Sequence, residues 1–151
     1  MAKIVWDHNS MGLGIKLLDE QHQRLVGIIN QLYEIVEQPE PATAEEPLHD
    51  IIDQLVDYAY YHFQTEELLF EKYQYPQSFA HISEHKYFTS ELGRLAARFA
   101  NERGDTERLR QPLQLDILAF LTNWLINHIC FCDRGFANYL KQQGQLGEIT
   151  L

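Results

Sequence analysis

The chain has 151 residues, 45% of them hydrophobic and 23% charged, and its 22 acidic and 12 basic side chains leave a net charge of -10. That length fits one domain with a sizeable core, and the acidity argues against nucleic acid or an anionic membrane as partner, since both are polyanions. No apolar run approaches the roughly 18 residues of a membrane span and Met1–Trp6 lacks a signal-peptide core, so the cytoplasm is the expected compartment.

Residues 1–17 contain Gly12 and Gly14 but no sustained helical stripe, which predicts an irregular arm over one end or side of the fold. A first helix is expected over about 19–38, capped by Asp19 and stopped by Gln38-Pro39-Glu40-Pro41, because two close prolines cannot continue a helix. A second, over about 44–73, follows a Thr43 cap and carries Glu45 and Glu46 where the helix dipole favours acids; Pro76 forces the next turn. A third runs over about 78–101 from a Ser78 cap to a loop at Arg103-Gly104-Asp105. A fourth, over about 112–131, opens with Pro112 at its first position, and a last piece over about 133–143 ends at Gly144. The expected fold is all-α: an up-down-up-down four-helix bundle with an N-terminal arm and a short C-terminal helical extension, one domain over 1–151.

Steps of three and four residues keep side chains on one side of a helix, so they trace the inward stripes. The first is Leu18, His22, Leu25, Ile29, Leu32, Val36, and the second is Leu48, Ile52, Leu55, Ala59, His62, Glu66, Leu69, Tyr73. The third is His81, His85, Phe88, Leu92, Leu95, Phe99, and the fourth is Ile117, Leu121, Trp124, His128. Five of the seven histidines thus stand in leucine positions. A buried polar group without a partner costs roughly 2–7 kcal/mol, so five imidazoles and a carboxylate on converging stripes call for a bound metal.

His62-x-x-x-Glu66 and His81-x-x-x-His85 each bring two side chains to one centre across a helical turn. Five imidazoles with carboxylates exceed the four ligands of one tetrahedral zinc, while two octahedral ions bridged by carboxylates would use them well. Imidazole with carboxylate suits iron, and neither thiolate-cluster signatures nor the Glu-x-x-His pairs of ferritin-type sites lie on the stripes. His8 in the arm and His49, read as solvent-facing, stand outside the set. Cys130 and Cys132 point to different faces of a helix and cannot pair with each other; they read as small hydrophobes in the last helix, although a Cys ligand is conceivable. Tyr58, Tyr60, Tyr61, Tyr73 and Tyr75 crowd the second helix, where one near the centre could bond a ligand imidazole's second nitrogen.

Together with Trp6-Asp7-His8, Gly12 and Gly14 in the arm, Asp19-Glu20-Gln21-His22, and Trp124-Leu125-Ile126-Asn127-His128-Ile129 ahead of Asp133, these motifs span nearly the whole chain. In that combination the sequence resembles the hemerythrins in their bacterial single-domain form. The resemblance implies two iron ions: one held by His81, His85 and His128, the other by His22 and His62 with one position open. It also implies bridges from Glu66, Asp133 and a solvent-derived oxo or hydroxo. Asp133 enters only this way, since it lies five residues beyond His128, about 140° around an ideal helix. Both could face one centre only if the helix ends, bends or bulges there, and Gly135 fits a break.

Trp124 and Leu125 occupy positions that the family lines with apolar side chains around an O2 pocket; plain core packing is their other reading. The implied function is reversible O2 binding, for transport, storage or delivery to a cellular oxidase, by a monomer that is not an enzyme. O2 sensing through a partner protein, or a di-iron enzyme acting on peroxide or nitric oxide, remain the alternatives.

Overall fold

The computed structural model describes residues 3–37, 45–101, 107–147 and 149–151, and every regular element among them is helical. In chain order these are α1 (His8–Met11), α2 (Lys16–Val36), α3 (Glu45–Lys72), α4 (Ser78–Asn101), α5 (Glu107–Asn127), a π-helical turn (His128–Asp133) and α6 (Arg134–Gln142). Helix α2 packs on α3 and α5, and α4 packs on the same two, so the long helices close a four-membered bundle. Thr43, the Gln38–Pro41 stop and the Arg103–Asp105 loop lie outside the described residues.

Each stripe turns inward as its spacing requires. Leu18, His22, Leu25, Ile29, Leu32 and Val36 are all buried on α2, as are His81, His85, Phe88, Leu92, Leu95 and Phe99 on α4. Burying a leucine-sized side chain is worth roughly 1.5–3 kcal/mol, so these stripes supply the force that docks the helices. The apolar core falls into two clusters. The larger one, built on residues such as Leu32, Leu55, Leu92 and Leu121, fills the long end of the bundle. The smaller, around Ile15, Leu69, Phe70, Phe136 and Leu140, fills the other.

The arm is more regular than its glycines led us to expect. It contains α1, capped by Asp7, whose side chain accepts from the Asn9 amide. Helix α2 then begins at Lys16 rather than Asp19, since the Asp19 amide already donates to the Ile15 carbonyl. Asp19 is therefore not the cap; its buried carboxylate accepts from the amides of Leu13 (2.8 Å) and Gly14 (3.2 Å) and ties the arm to the helix. Gly14 has φ +79°, a left-handed conformation that glycine adopts without strain. Gly12 is required for room: a Cβ there would sit 2.5 Å from the His8 carbonyl oxygen. At one end the arm pairs with Asn30, which accepts from the Ile4 amide and donates to its carbonyl. At the other, the Arg134 guanidinium donates to the carbonyls of Ser10 (3.0 Å) and Gly12 (2.8 Å).

The last helix departs furthest from its expected form. It begins at Glu107, so Pro112 lies inside it rather than at its first position. It does not break after His128: the π turn carries it straight into α6, which contains Gly135. Gly135 serves packing instead, because a Cβ there would meet the Tyr75 hydroxyl at 3.1 Å. The run Gln114–Gln142 contains an 18-residue stretch apolar enough by composition to cross a membrane. It also holds His128 and Asp133 buried against the other helices, as a bundle's core helix does. Beyond α6 the tail folds back, burying Ile149 in the smaller cluster, while Lys72 Nζ donates to the Thr150 carbonyl at 2.5 Å.

Candidate metal centre

Between the two apolar clusters lies one layer of buried polar side chains: His22 from α2, His62 and Glu66 from α3, His81 and His85 from α4, and His128 and Asp133 from the π turn. Their nitrogens and oxygens divide into two sets. Glu66 Oε1 lies 3.0 Å from His62 Nε2 and 3.4 Å from His22 Nε2, and Asp133 Oδ2 lies 2.8 Å from His22 Nε2. On the other side, Glu66 Oε2 lies 2.8 Å from His85 Nε2, while Asp133 Oδ1 lies 2.8 Å from His81 Nε2 and 3.1 Å from His128 Nε2. Ligand atoms, one each from His22, His62, Glu66 and Asp133, lie within 4.8 Å of one another, and so do those of Glu66, His81, His85 and His128. Each carboxylate thus presents one oxygen to each half.

The π turn brings Asp133 into this layer. Its hydrogen bonds run i to i+5, so residues five apart align as residues four apart do in an α-helix. The 140° conflict between His128 and Asp133 disappears without any break in the chain. Aromatic rings then hold the imidazoles in place. Phe63 stacks on His85 with centroids 4.0 Å apart, Trp124 on His128 at 4.3 Å, and Phe70 packs on His81 at 4.5 Å. Trp124 is half-buried on the three-imidazole side, while Leu125 is buried in the larger apolar cluster.

Several of these atoms have no hydrogen-bond partner among the described residues despite being sealed from solvent: His22 Nε2, His62 Nε2 and both oxygens of Glu66 and of Asp133. Their short contacts are therefore not ordinary hydrogen bonds. The lone pairs face common centres, and a donor set of buried imidazoles and carboxylates suits a divalent cation at each.

The electrostatics agree. Burial disfavours ionising the carboxylates, yet the surrounding imidazoles overcome it and hold both Glu66 and Asp133 well below their ordinary range. Burial likewise opposes charge on His22 and His81, but Asp133 and Glu66 outweigh it and push both up to about 9. His128 is raised for the same reason, chiefly by Asp133, whereas burial wins at His62 and lowers it.

Two ligand imidazoles have an identified partner on their second nitrogen, and neither partner is a tyrosine. His62 Nδ1 contacts Gln21 Oε1 at 2.7 Å, and His85 Nδ1 contacts Glu67 Oε1 at 3.0 Å beside a surface cleft of about 160 Å³ lined by Tyr60, Gln64 and Lys86. Gln21 was detectable, because it continues the inward steps Leu18, Gln21, Leu25; Glu67 gave no such signal. His8 is exposed and away from the layer. His49 is not solvent-facing: its ring packs on Phe99 with centroids 4.8 Å apart, in the larger cluster and far from the ligands. Cys130 and Cys132 are unpaired and half-buried, and the Cys130 thiol donates to the Ser10 carbonyl at 3.7 Å.

A four-helix bundle with five imidazoles and two carboxylates sealed between its apolar clusters belongs to the class of helical metal-binding proteins. The family model described as "Hemerythrin HHE cation binding domain" matches residues 13–140. The chain belongs to the hemerythrin family. It is 31% identical over 141 residues to a bacteriohemerythrin of Stenotrophomonas maltophilia, covering 93% of this chain and 84% of that one. A bacteriohemerythrin of Pseudomonas aeruginosa is 32% identical over 143 residues, with the same coverage, and that of Methylococcus capsulatus is 27% identical over 135 residues, covering 89% and 94%. Among solved structures, wild-type hemerythrin superimposes with a TM-score of 0.76 at 23% identity, covering 91% of this chain and 97% of that one, a likeness of fold.

Proposed function

We propose that this chain binds O2 reversibly at a pair of iron ions, as an O2 carrier or store rather than an enzyme. His81, His85 and His128 would hold one ion, His22 and His62 the other, and Glu66 and Asp133 would span the two. The observation that carries this reading is the unequal division of imidazoles about the two ends of each carboxylate. Three imidazoles would leave one ion nearly complete, whereas two would leave the other a ligand short, where a small molecule could enter. When bound, the iron pair supplies the electrons that hold O2 and recovers them on its release.

The protein's own part is to position and to exclude. Nitrogen ligands outnumber carboxylates, so less anionic charge reaches the ions and high oxidation states gain less support, which favours release over forceful oxidation. The apolar clusters above and below the layer, with Leu125 in the larger and Trp124 laid over His128, keep water and its protons away. The two unpaired thiols suit a reducing cytoplasm.

Reduction of the iron-loaded protein under anaerobic conditions, followed by cycles of O2 and inert gas, tests the reading. A visible absorption band should appear with O2 and bleach on its removal through several cycles. A band that never forms, or one oxidation step that inert gas does not reverse, would overturn it. Sensing through a partner protein would instead appear as a protein retained on the immobilised chain in one gas and released in the other.

A further inference from the structure

The partners behind His62 and His85 differ in kind, and the difference is built in. Behind His62 stand Gln21 and then Thr65, both buried, with Gln21 Nε2 donating to Thr65 Oγ1 at 3.3 Å and Thr65 Oγ1 donating to the Tyr61 carbonyl at 3.0 Å. A carbonyl can only accept. The single hydroxyl proton of Thr65 is therefore spent on Tyr61, and toward Gln21 the hydroxyl can only accept. That turns the amide N–H of Gln21 to Thr65 and its oxygen to His62. A contact of 2.7 Å between Gln21 Oε1 and His62 Nδ1 then requires the imidazole proton on Nδ1.

The consequence reaches the metal layer. With its proton on Nδ1, His62 presents a bare lone pair at Nε2, 3.0 Å from Glu66 Oε1, which is also an acceptor. Two acceptors cannot bond each other, and both atoms are indeed buried without a hydrogen-bond partner. The opposite polarity would aim a proton from His62 Nε2 into the centre and detach Thr65 from Tyr61. Behind His85 the acceptor is instead the Glu67 carboxylate at 3.0 Å, 37% exposed. A carboxylate draws on the imidazole proton and makes the ring a stronger donor to a metal, which a neutral amide does far less.

We propose that Gln21 and Thr65 form a one-way hydrogen-bond relay that fixes His62 in its metal-ready tautomer, and that this neutral relay, set against the Glu67 carboxylate behind His85, makes the two metal positions electronically unequal. Gln21 is a positioning residue, acting through His62. The inference rests on the ligand assignment proposed above and gives it a direction. The weaker donation falls on the half with the open position, where it limits electron transfer to a bound ligand.

Zinc, which has no redox chemistry, tests the relay without O2. Imidazole 15N–1H correlation spectra of the metal-free protein should show His62 protonated at Nδ1, and chelator competition should give the rate of zinc loss. Q21M keeps the length of the side chain but removes the acceptor; His62 should lose its fixed tautomer, and zinc should leave about 10–100 times faster. T65V should shift both readouts the same way by less. Q21E restores an acceptor, so tautomer and zinc retention should recover, while the midpoint potential of the iron-loaded protein, titrated anaerobically, should fall. An unchanged His62 tautomer in Q21M, or Q21E behaving like Q21M, would overturn the relay, and an unchanged potential in Q21E would overturn the inequality. None of these measurements uses O2, so failure of O2 binding would leave this result standing.

Discussion

Asp133 holds two roles that only a carboxylate can combine, one oxygen turned to His22 and the other to His81 and His128. In D133N one of those oxygens becomes an NH2 group whose protons point at a metal position. The metal content of the loaded protein should therefore fall to about half or less, measured by elemental analysis against protein concentration. Retention of the full content would show that Asp133 is not a bridge. At this scale the sequence was legible wherever a residue lay on a stripe of threes and fours. His22, His62, Glu66, His81, His85 and His128 could all be found that way, and so could Gln21. Asp133 could not, because it sits out of phase with α5, and resemblance alone pointed to it. Glu67 stands next to Glu66 with no periodic signal to separate it from a solvated acid.

The π turn explains that lapse at the level of the element. One residue more than an α turn lies between His128 and Asp133, so the periodicity of the last helix is interrupted. The inward side chains of α6, Phe136, Ala137 and Leu140, keep step with Asp133 and not with His128. A stripe counted from Ile117 dissolves there, which is why the sequence reads as two pieces with a break. Inserting an alanine after Cys130, which is half-buried, should set Asp133 six residues beyond His128 and swing it and α6 out of phase with the layer. Far-ultraviolet circular dichroism should keep its helical signal while metal retention collapses at least tenfold. Metal retention equal to the parent would mean that the turn is dispensable. Elsewhere the elements were legible through their apolar spacing, although Pro112, read as a first helical position, lies inside α5. The start of α2 was missed because Asp19, a good capping residue, is engaged by the arm's amides.

In the whole molecule, the metal layer makes stability depend on pH in a way that loading should erase. His22 and His81 stand at about 9 against 6.5 for a free imidazole. Their contribution to metal-free stability is present in full below about 6.5 and is lost as pH rises through 9. Glu66 and Asp133 are shifted down, so theirs is present above their ordinary 4.5 and 3.8 and is lost as pH falls. His62, held neutral by burial, works against the other imidazoles but is outnumbered. The metal-free protein should melt highest between about pH 5 and 6.5 and lose several degrees by pH 9, whereas the loaded protein should stay flat over that alkaline span. A metal-free Tm that rises toward pH 9 would contradict the charge balance of the layer. The bundle itself was evident from the sequence, since four apolar stripes leave few other ways to bury themselves.

The division of the core into two clusters has a consequence for cooperativity. Apolar packing, which makes a small domain fold as one unit, is interrupted toward one end by the polar layer. Without cations, the ends are coupled through the helix backbones and the buried polar layer alone. Two cations held by residues from α2, α3, α4 and the π turn would join the four walls at the level where the packing stops. Metal supply would then decide whether this chain unfolds as one body or two.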